Sequence, residues 1–209
     1  MDGSRSARQS WSPPNVNSPF SAVLLAGGRS ARMRQDKAFI TINGEPLWQR
    51  QMRLLQALAP QDVFLAGPAH AEWLCESCII IPDAQPDAGP LGGIVSALRH
   101  CSTPLLLTLA VDLPNMMAAY LRSLIPLCGD ARGIVPRRRG RFEPVAAIYP
   151  KAALAFAESC LASGNYSLQI FAARLLAEGL VEAKEIAPND EPLFRNLNTP
   201  EDLLALKNG

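Results

Sequence analysis

The feature that most constrains the fold of this chain is a series of short, almost continuously apolar runs separated by segments of helical periodicity. The clearest runs are residues 22–26 and residues 105–111, and the second is the most hydrophobic of the predicted strands. A strand that is apolar on both faces is typical of a parallel sheet covered by helices on each side. The sequence therefore predicts an α/β fold: a three-layer, Rossmann-like domain with a mostly parallel sheet and helices on both faces.

The remaining elements follow from the hydrophobic periodicity and from the glycines and prolines that interrupt it. Thr199 as N-cap, Pro200 at the first helical position and Asp202 at the third are typical of a helix start. Further strands are predicted at residues 63–66, 79–81, 133–136, 145–149 and 181–186. Helices are predicted from Pro46, at about residues 69–76, at 91–101, 116–125, 151–162 and 167–178, and from Pro200 onward.

The composition describes one ordinary globular domain. The chain has 209 residues, of which 48% are hydrophobic and 19% charged, and its formal net charge is +1. We assign residues 20–209 to a single domain and residues 1–19, rich in Ser, Pro, Asn and Arg, to a disordered N-terminal tail. The near-neutral charge gives no reason to expect nucleic acid or a membrane as partner. No apolar segment approaches the roughly 20 residues that span a bilayer.

The cysteines favour a cytoplasmic location. There are five of them, scattered through apolar segments, which is typical of reduced thiols that act as small buried hydrophobes. Cys75 and Cys78 form a C-x-x-C spacing, but neither a second pair nor suitably placed histidines accompany it. We therefore interpret the spacing as incidental rather than as a zinc site. We further expect a monomer or a weak homo-oligomer.

A basic loop that opens with glycines follows the first strand. Gly27 and Gly28 end the apolar run, and the next nine residues contain four cations. Glycine allows backbone N–H groups to approach phosphate oxygens closely and the cations can neutralise them, so the loop suits a polyphosphate. Neither G-x-x-x-x-G-K-[ST] nor G-x-G-x-x-G is present. The alternative is a tight strand-to-helix turn with a solvated basic face.

Two carboxylates are predicted to lie near this loop, because ligands in an open parallel sheet bind outside the carboxyl ends of the strands. Asp83 follows the strand at residues 79–81, and Asp112 directly follows the strand at residues 105–111. A carboxylate at the end of a buried strand has to be paired, hydrogen-bonded or metal-bound. Facing a triphosphate, Asp112 would hold Mg²⁺; otherwise it would form an Asp-x-Pro turn or cap a helix.

Four segments resemble the MobA-like nucleotidyltransferases, a family that includes molybdenum cofactor guanylyltransferases. Residues 25–38 resemble the N-terminal signature L-A-G-G-x-S-x-R-M-x-x-D-K-A, and residues 112–114 resemble the metal-binding D-x-P motif. Residues 89–93 resemble the nucleoside-binding loop G-P-L-[AG]-G, and residues 196–202 resemble the C-terminal motif N-x-N-T-P-E-[DE]. The resemblance extends over residues 20–206. The sequence L-A-G-G is similar to guanylyl-transferring members, whereas cytidylyl-transferring relatives usually carry an A-A-G form.

The resemblance implies Mg²⁺-dependent transfer of GMP from GTP to the terminal phosphate of molybdopterin or molybdenum cofactor, with release of pyrophosphate. It implies catalytic roles for Lys37, Arg32 and Asp112, and Asp112 would also bind the metal. The nucleotide-binding residues that it implies are Leu25, Ala26, Gly27, Gly28, Lys37, Asp83, Gly89, Pro90, Leu91 and Gly92. Transient contacts with other proteins of cofactor biosynthesis are a further expectation.

Acceptor binding is assigned to two polar groups. Asn196 and Asn198 lie two residues apart on an extended segment and so point to the same side. They could bind the acceptor or metal-bound water, although Asn198 could equally brace the following helix cap. Residues 137–141 contain a basic cluster. We interpret Arg138 and Arg139 as binding the acceptor's own phosphate, in preference to a solvated loop or a nucleic-acid contact.

Three positions depart from the family's usual pattern. Arg34 stands where a glycine usually follows the methionine, residues 66–67 lack an asparagine, and Glu143 stands where many members have histidine. The competing functions are therefore cytidylyl or other nucleotidyl transfer to a different phosphorylated acceptor, and nucleotide binding without turnover. A dinucleotide-dependent oxidoreductase is disfavoured because its glycine fingerprint is absent.

Overall fold

The structure, a computed structural model, describes residues 18–27, 36–68, 70, 73 and 77–207. Its strands are β1 (Phe20–Leu25), β2 (Thr41–Ile42), β3 (Glu45–Pro46), β4 (Val63–Ala66), β5 (Ile79–Ile81), β6 (Leu105–Ala110), β7 (Gly133–Arg138), β8 (Arg141–Phe142), β9 (Ile148–Pro150) and β10 (Val181–Glu185). Its helices are α1 (Leu47–Gln56), α2 (Pro90–His100), α3 (Ala118–Leu124), α4 (Ala153–Ala162), α5 (Leu168–Ala177) and α6 (Pro200–Lys207). Short 3₁₀ turns lie at Lys37–Phe39, Ile125–Leu127 and Pro188–Phe194.

Eight of the strands form one mixed sheet, which is mostly parallel as the sequence predicts. The order is β10-β7-β9-β6-β1-β4-β5, with β8 paired to β7. β1 lies between β6 and β4 and is parallel to both, and the pairs β4–β5 and β7–β10 are also parallel. β9 runs antiparallel to its neighbours β6 and β7, and β8 folds back on β7 as a hairpin. The strands β2 and β3 form a separate small hairpin.

Alternate side chains of the central strands enter two separate cores, which gives the domain three layers. In β1, Ala22 and Leu24 belong to one core, and Val23 and Leu25 belong to the other. The first core contains buried residues of α1 and α3, and the second contains buried residues of α2, α4 and α5. This burial on both faces is the physical reason that β1 has a continuous apolar sequence. The predicted helices on both faces of the sheet are confirmed.

One predicted strand is shifted. The strand expected at residues 145–149 lies at Ile148–Pro150, because two buried hydroxyls hold the preceding segment in an irregular conformation. The Tyr149 hydroxyl donates to the Pro144 carbonyl at 2.7 Å, and the Thr108 hydroxyl donates to the Ala147 carbonyl at 3.1 Å. The helix predicted at about residues 69–76 lies outside the described residues, apart from positions 70 and 73.

The structure bears on two expectations from composition, the N-terminal tail and the reduced cysteines. Most of the predicted tail, residues 1–17, lies outside the described residues, whereas the Ser18 hydroxyl donates to Asp130 at 2.6 Å. Cys101, Cys128 and Cys160 are free and buried, as predicted. Cys78 is disulfide-bonded, which corrects the prediction that all five cysteines are reduced thiols. Across the described part of the chain, every helix is too short or too polar to cross a bilayer.

Candidate active site

Three residues from distant parts of the sequence meet at one edge of the sheet. The Lys37 ammonium nitrogen lies 3.0 Å from a carboxylate oxygen of Asp112 and donates to the side-chain carbonyl of Asn198 at 2.8 Å. The side chains of Lys37 and Asp112 are only 15% and 24% exposed. Their charges therefore interact more strongly than they would in open water. We call Lys37, Asp112 and Asn198 the central cluster.

Lys37 begins a 3₁₀ turn whose start is fixed by Asp36. One carboxylate oxygen of Asp36 accepts a hydrogen bond from the backbone N–H of Ala38 at 3.0 Å, as an N-cap does. The other oxygen lies 3.1 Å from Nε2 of His70. The His70 ring packs edge-on against Phe39, with a centroid distance of 4.9 Å. These contacts anchor the backbone from which the Lys37 side chain extends.

Asp112 follows β6 and is fixed by two contacts with other segments. Its backbone carbonyl accepts a hydrogen bond from the N–H of Leu197 at 2.8 Å, which ties the segment that carries Asn198 to the end of the strand. The fully buried side chain of Gln51, on α1, donates to the carbonyl of Leu113 at 2.6 Å. A buried polar side chain of this kind holds its partner firmly, because breaking the bond leaves an unsatisfied group. The position of Asp112 is therefore set by a helix and by the C-terminal segment.

Asn198 is held by the start of α6. Asp202 accepts hydrogen bonds from the backbone N–H groups of Asn198 and Thr199 at 2.9 and 2.8 Å, and its own N–H donates to the Thr199 hydroxyl at 3.2 Å. The reciprocal bonds form a capping box, so the predicted helix start is confirmed. The bonds from Asn198 and Thr199 are the main causes that lower the pKa of Asp202, and the charge of Lys37 adds to them. Asn198 thus braces the cap with its backbone while its side chain contacts Lys37.

The residues predicted to hold the nucleoside lie where β1 and β5 end. Gly27 packs so closely against Asp83 that a Cβ atom on Gly27 would lie 3.0 Å from one carboxylate oxygen. A Cβ atom on Gly93 would lie 3.2 Å from the other oxygen. Burial raises the pKa of Asp83, because desolvation disfavours its charged form. Leu25 and Ala26 are both buried at the end of β1. We call this region the nucleoside side.

The start of α2 completes the nucleoside side. Gly89 is its N-cap, with φ 59° and ψ −152°. Residues other than glycine rarely adopt this backbone conformation. Pro90 occupies the first helical position, and Leu91 and Gly92 are buried behind it. Among the described residues, no side-chain hydrogen bond caps this helix start. Its first N–H groups and the positive end of the helix dipole are therefore suited to a polar or anionic ligand.

A cavity of about 540 Å³ lies on the other side of the central cluster, between the β7–β8 hairpin and the C-terminal segment. The polar groups that line it include Arg138, Arg139, Arg141, Glu143, Glu191 and Asn196. The guanidinium of Arg138 lies 3.4 Å from Glu143 and 3.8 Å from Glu191, and that of Arg139 lies 3.6 Å from Glu191. Such long ion pairs at a partly exposed site hold the arginines only weakly. We call this the arginine cavity.

The structure therefore divides the predicted residues among three neighbouring regions. Arg138, Arg139 and Asn196 share the arginine cavity, while Asn198 belongs to the central cluster. Gly28 and Arg32 lie outside the described residues. The structure adds residues that no motif marks: Gln51, His70 and Glu191. The position of Gln51 beside the apolar stripe of α1 was a weak sequence signal that its side chain is buried. No sequence signal pointed to His70 or Glu191, because their contacts are with residues distant in sequence.

Comparison with known proteins shows the family to which the chain belongs. The MobA-like NTP transferase domain matches residues 22–178. A probable molybdenum cofactor guanylyltransferase of Opitutus terrae is 35% identical over 188 residues, covering 88% of this chain and 93% of its own length. The molybdenum cofactor guanylyltransferase of Pseudomonas putida is 31% identical over 194 residues, covering 91% of this chain and 98% of its own.

Solved structures share the fold. Molybdopterin-guanine dinucleotide biosynthesis protein A from Archaeoglobus fulgidus superposes with a TM-score of 0.71 at 23% identity, over 90% of this chain and 97% of that one. 2-C-methyl-D-erythritol 4-phosphate cytidylyltransferase from Thermus thermophilus superposes with a TM-score of 0.67 at 16% identity, over 90% and 96%. The matched domain and the shared fold define an enzyme of the nucleotidyltransferase class. More particularly, the chain belongs to the MobA-like NTP transferase family.

Proposed function

We propose that this enzyme transfers GMP from GTP to the terminal phosphate of molybdopterin or molybdenum cofactor, with Mg²⁺ as cofactor and pyrophosphate as the leaving group. The observation that carries the proposal is the meeting of Lys37, Asp112 and Asn198, from three separate segments, within 3.0 Å. The nucleotide and the acceptor rest on the names of relatives that are 35% and 31% identical over most of the chain.

The proposed reaction is an in-line displacement at phosphorus. An oxygen of the acceptor's terminal phosphate attacks the α-phosphorus of GTP and forms a new P–O–P linkage. The bond between the α-phosphorus and the oxygen bridging to the β-phosphate breaks, and pyrophosphate leaves with that electron pair. The attacking phosphate is already anionic, so the step needs no covalent enzyme intermediate. The protein contributes alignment of the two substrates and neutralisation of their charge.

Lys37 supplies the neutralising charge by an exchange of partners. In the absence of substrate its ammonium group is held by Asp112 and Asn198. When a triphosphate enters, the ammonium donates to phosphate oxygens and offsets the charge that develops on pyrophosphate. Arg32, from the same basic loop, provides a second cation. The exchange would leave the carboxylate of Asp112 free to hold Mg²⁺.

The oxygen donors of the central cluster fit Mg²⁺. Asp112 offers a carboxylate and Asn198 a carbonyl, and Mg²⁺ prefers such hard ligands. Among the described residues there is no group of three or more His, Cys, Asp or Glu that could enclose a metal by itself. The ion would therefore take its other ligands from phosphate oxygens and water, as Mg²⁺ commonly does. When bound, Mg²⁺ would neutralise phosphate charge and fix the orientation of the phosphate oxygens.

The two substrates are assigned to the two sides of the central cluster. GTP would lie on the nucleoside side, against the backbone of residues 25–28 and 89–92, with Asp83 and Lys37 as its charged contacts. The acceptor would lie in the arginine cavity, with Asn196 and Asn198 leading to the α-phosphorus. Arg138 and Arg139 would bind its phosphate. The hydrogen bond from Leu197 to Asp112 supports this arrangement, because it joins the cavity segment to the central cluster.

The test is a nucleotide panel followed by an activity assay. We expect GTP with Mg²⁺ to raise the melting temperature more than CTP, ATP or UTP with Mg²⁺. We also expect pyrophosphate to be released from GTP only when molybdopterin is added. Preferential binding of CTP would instead favour a cytidylyltransferase. Binding of GTP without pyrophosphate release, with active acceptor present, would indicate a nucleotide-binding homologue without turnover.

A further inference from the structure

Glu143 is a mostly buried carboxylate that lines the arginine cavity. Its side chain is only 19% exposed, yet among the described residues its charged contact is a single ion pair with Arg138 at 3.4 Å. An ionised carboxylate can accept about four hydrogen bonds. Burial raises the pKa of Glu143 despite the opposing charges of Arg138 and Arg141. A ligand that donates hydrogen bonds to this poorly solvated carboxylate would therefore stabilise its charged form.

The backbone around Glu143 is firmly held, so the carboxylate is presented in a fixed place. The N–H of Glu143 donates to the Pro136 carbonyl at 2.8 Å, and the Tyr149 hydroxyl donates to the Pro144 carbonyl at 2.7 Å. Gln169 bonds both backbone groups of Phe142, accepting from its N–H at 3.1 Å and donating to its carbonyl at 2.8 Å. A preorganised acceptor of this kind favours a ligand that offers hydrogen-bond donors in a matching geometry.

We propose that Glu143 binds the donor edge of the acceptor's heterocyclic ring, an amide N–H beside an exocyclic amine, and so selects a pterin. A carboxylate accepts from two adjacent donors at once, one with each oxygen. This inference rests on the proposed function, which places the acceptor in the arginine cavity. Binding of the ring also releases Arg138 from Glu143, and the guanidinium becomes available to the acceptor's phosphate. Glu143 would thus bind the ring of the acceptor, and Arg138, its ion-pair partner, would bind the phosphate.

The guanine base of GTP carries the same pair of donors, but the sheet order assigns it to another place. Residues of the nucleoside side follow β1 and β5, whereas Glu143 follows β8, which pairs with β7. The strands β6 and β9 lie between β1 and β7 in the sheet. The cavity therefore lies across the central cluster from the nucleoside side. The experiment nevertheless includes guanine as a second possible source of the donor edge.

The experiment changes the hydrogen-bonding groups on both the ring and residue 143. Pterin and lumazine, in which a carbonyl replaces the exocyclic amine, are titrated by their own fluorescence into the full-length protein and into Glu143→Gln. We expect the unmodified protein to prefer pterin by about tenfold, a difference typical of one bidentate pair. Glu143→Gln should reverse the preference, because a carboxamide presents one acceptor and one donor, which match the carbonyl and N–H of lumazine.

Two control variants separate ring recognition from support of the arginines. Glu191→Gln also removes a carboxylate beside Arg138, 3.8 Å away, and should retain the pterin preference. Glu143→Asp keeps the carboxylate and should retain the preference with weaker binding, which covers the case that the glutamine variant does not fold. Equal binding of the two rings to the unmodified protein would overturn the proposal. So would equal effects of Glu143→Gln and Glu191→Gln on both rings.

A parallel measurement distinguishes the acceptor from the nucleotide. The melting-temperature shifts produced by GTP and by xanthosine triphosphate are compared for the unmodified protein and Glu143→Gln. An unchanged GTP preference supports a pterin at Glu143, and a reversed one overturns the proposal in favour of guanine. Since these are binding measurements, a failure of guanylyl transfer is seen separately, as absent pyrophosphate release from a protein that still discriminates pterin from lumazine.

Discussion

The nucleoside side and the arginine cavity flank the same central cluster but are built by different means. The nucleoside side consists of glycines, buried backbone and one half-buried carboxylate, Asp83, packed at about 3 Å from where Cβ atoms would lie. The arginine cavity consists of long charged side chains on a hairpin, paired loosely at 3.4–3.8 Å. Close backbone packing fixes a shape in advance, whereas weakly paired side chains can exchange partners when a ligand binds. Under the proposed function, we therefore expect a rigid nucleotide pocket and an adaptable acceptor pocket.

The largest effect is expected where the two sides meet. Lys37→Ala and Asp112→Ala should each reduce kcat by about 10²–10³-fold, because Lys37 offsets the charge that develops on pyrophosphate and Asp112 would hold Mg²⁺. The measurement is pyrophosphate release at saturating GTP and acceptor, with circular dichroism to show an intact fold. Lys184→Ala, a lysine that contacts Ser123 and Tyr120 instead, should remain active. Near-normal turnover in either cluster variant would contradict the assigned roles.

The next largest effect tests whether the arginine cavity binds the acceptor independently of GTP binding on the nucleoside side. Replacing both Arg138 and Arg139 by alanine should raise the KM for the acceptor about tenfold and leave the KM for GTP unchanged, since a charge-assisted contact to phosphate is lost. Arg137→Ala is the matched control, because Arg137 pairs with Glu185 at 2.6 Å. Initial rates over both substrate concentrations give the two constants. If the double variant instead loses retention on DNA, the cavity is not an acceptor site.

The reciprocal variant on the nucleoside side is Asp83→Asn. We expect a several-fold higher KM for GTP, an unchanged KM for the acceptor, and a slightly higher melting temperature at neutral pH, because asparagine avoids a partly buried charge at this position. Burial raises the pKa of Asp83 in the folded protein. Stability is therefore greatest when Asp83 is protonated and is lost as pH rises through the folded-state pKa.

Thermal unfolding of Asp83→Asn across pH checks that sign. The stability gained by the variant should vanish in acid, where Asp83 itself is neutral. Asp87→Asn is a suitable control, because Asp87 lies in the same loop with φ 59°, a conformation that asparagine adopts readily. A variant whose effect extends to the acceptor KM would show that the two sides are coupled rather than separate.

The smallest effect is expected from Asp202→Asn, which is linked to the cluster by the backbone N–H of Asn198 and by the charge of Lys37. Hydrogen bonds lower the pKa of Asp202, so its contribution to stability is present above the unfolded-state pKa and is lost as pH falls through the folded-state pKa. The variant should therefore melt slightly lower at neutral pH and equal the unmodified protein in acid. Its kcat should fall by less than tenfold, and both KM values should change little. Glu201→Gln, at the exposed neighbouring position, should be neutral in both assays.

The sequence determined the layer architecture, because burial on both faces of a parallel sheet requires continuous apolar strands. It also determined the helix start at Thr199, because a capping box is made by neighbours in sequence. The end of a buried strand marked Asp112, the basic loop and the family resemblance marked Lys37, and the rule that ligands bind at the carboxyl edge predicted their neighbourhood. Each of these inferences depends on residues close together in the chain or on a period of two or about four residues.

Only the tertiary structure decided which side chains share a pocket. Glu191 comes to lie beside Arg138, and Gln51 beside Leu113, through the order of strands and the path of the C-terminal segment. The antiparallel placement of β9 likewise depends on long-range pairing that no local period encodes. Distances between side chains are set by packing over the whole sheet. The sequence had already assigned nucleoside and acceptor residues separately, and the fold adds that Arg138, Arg139 and Asn196 line one cavity together with Glu191.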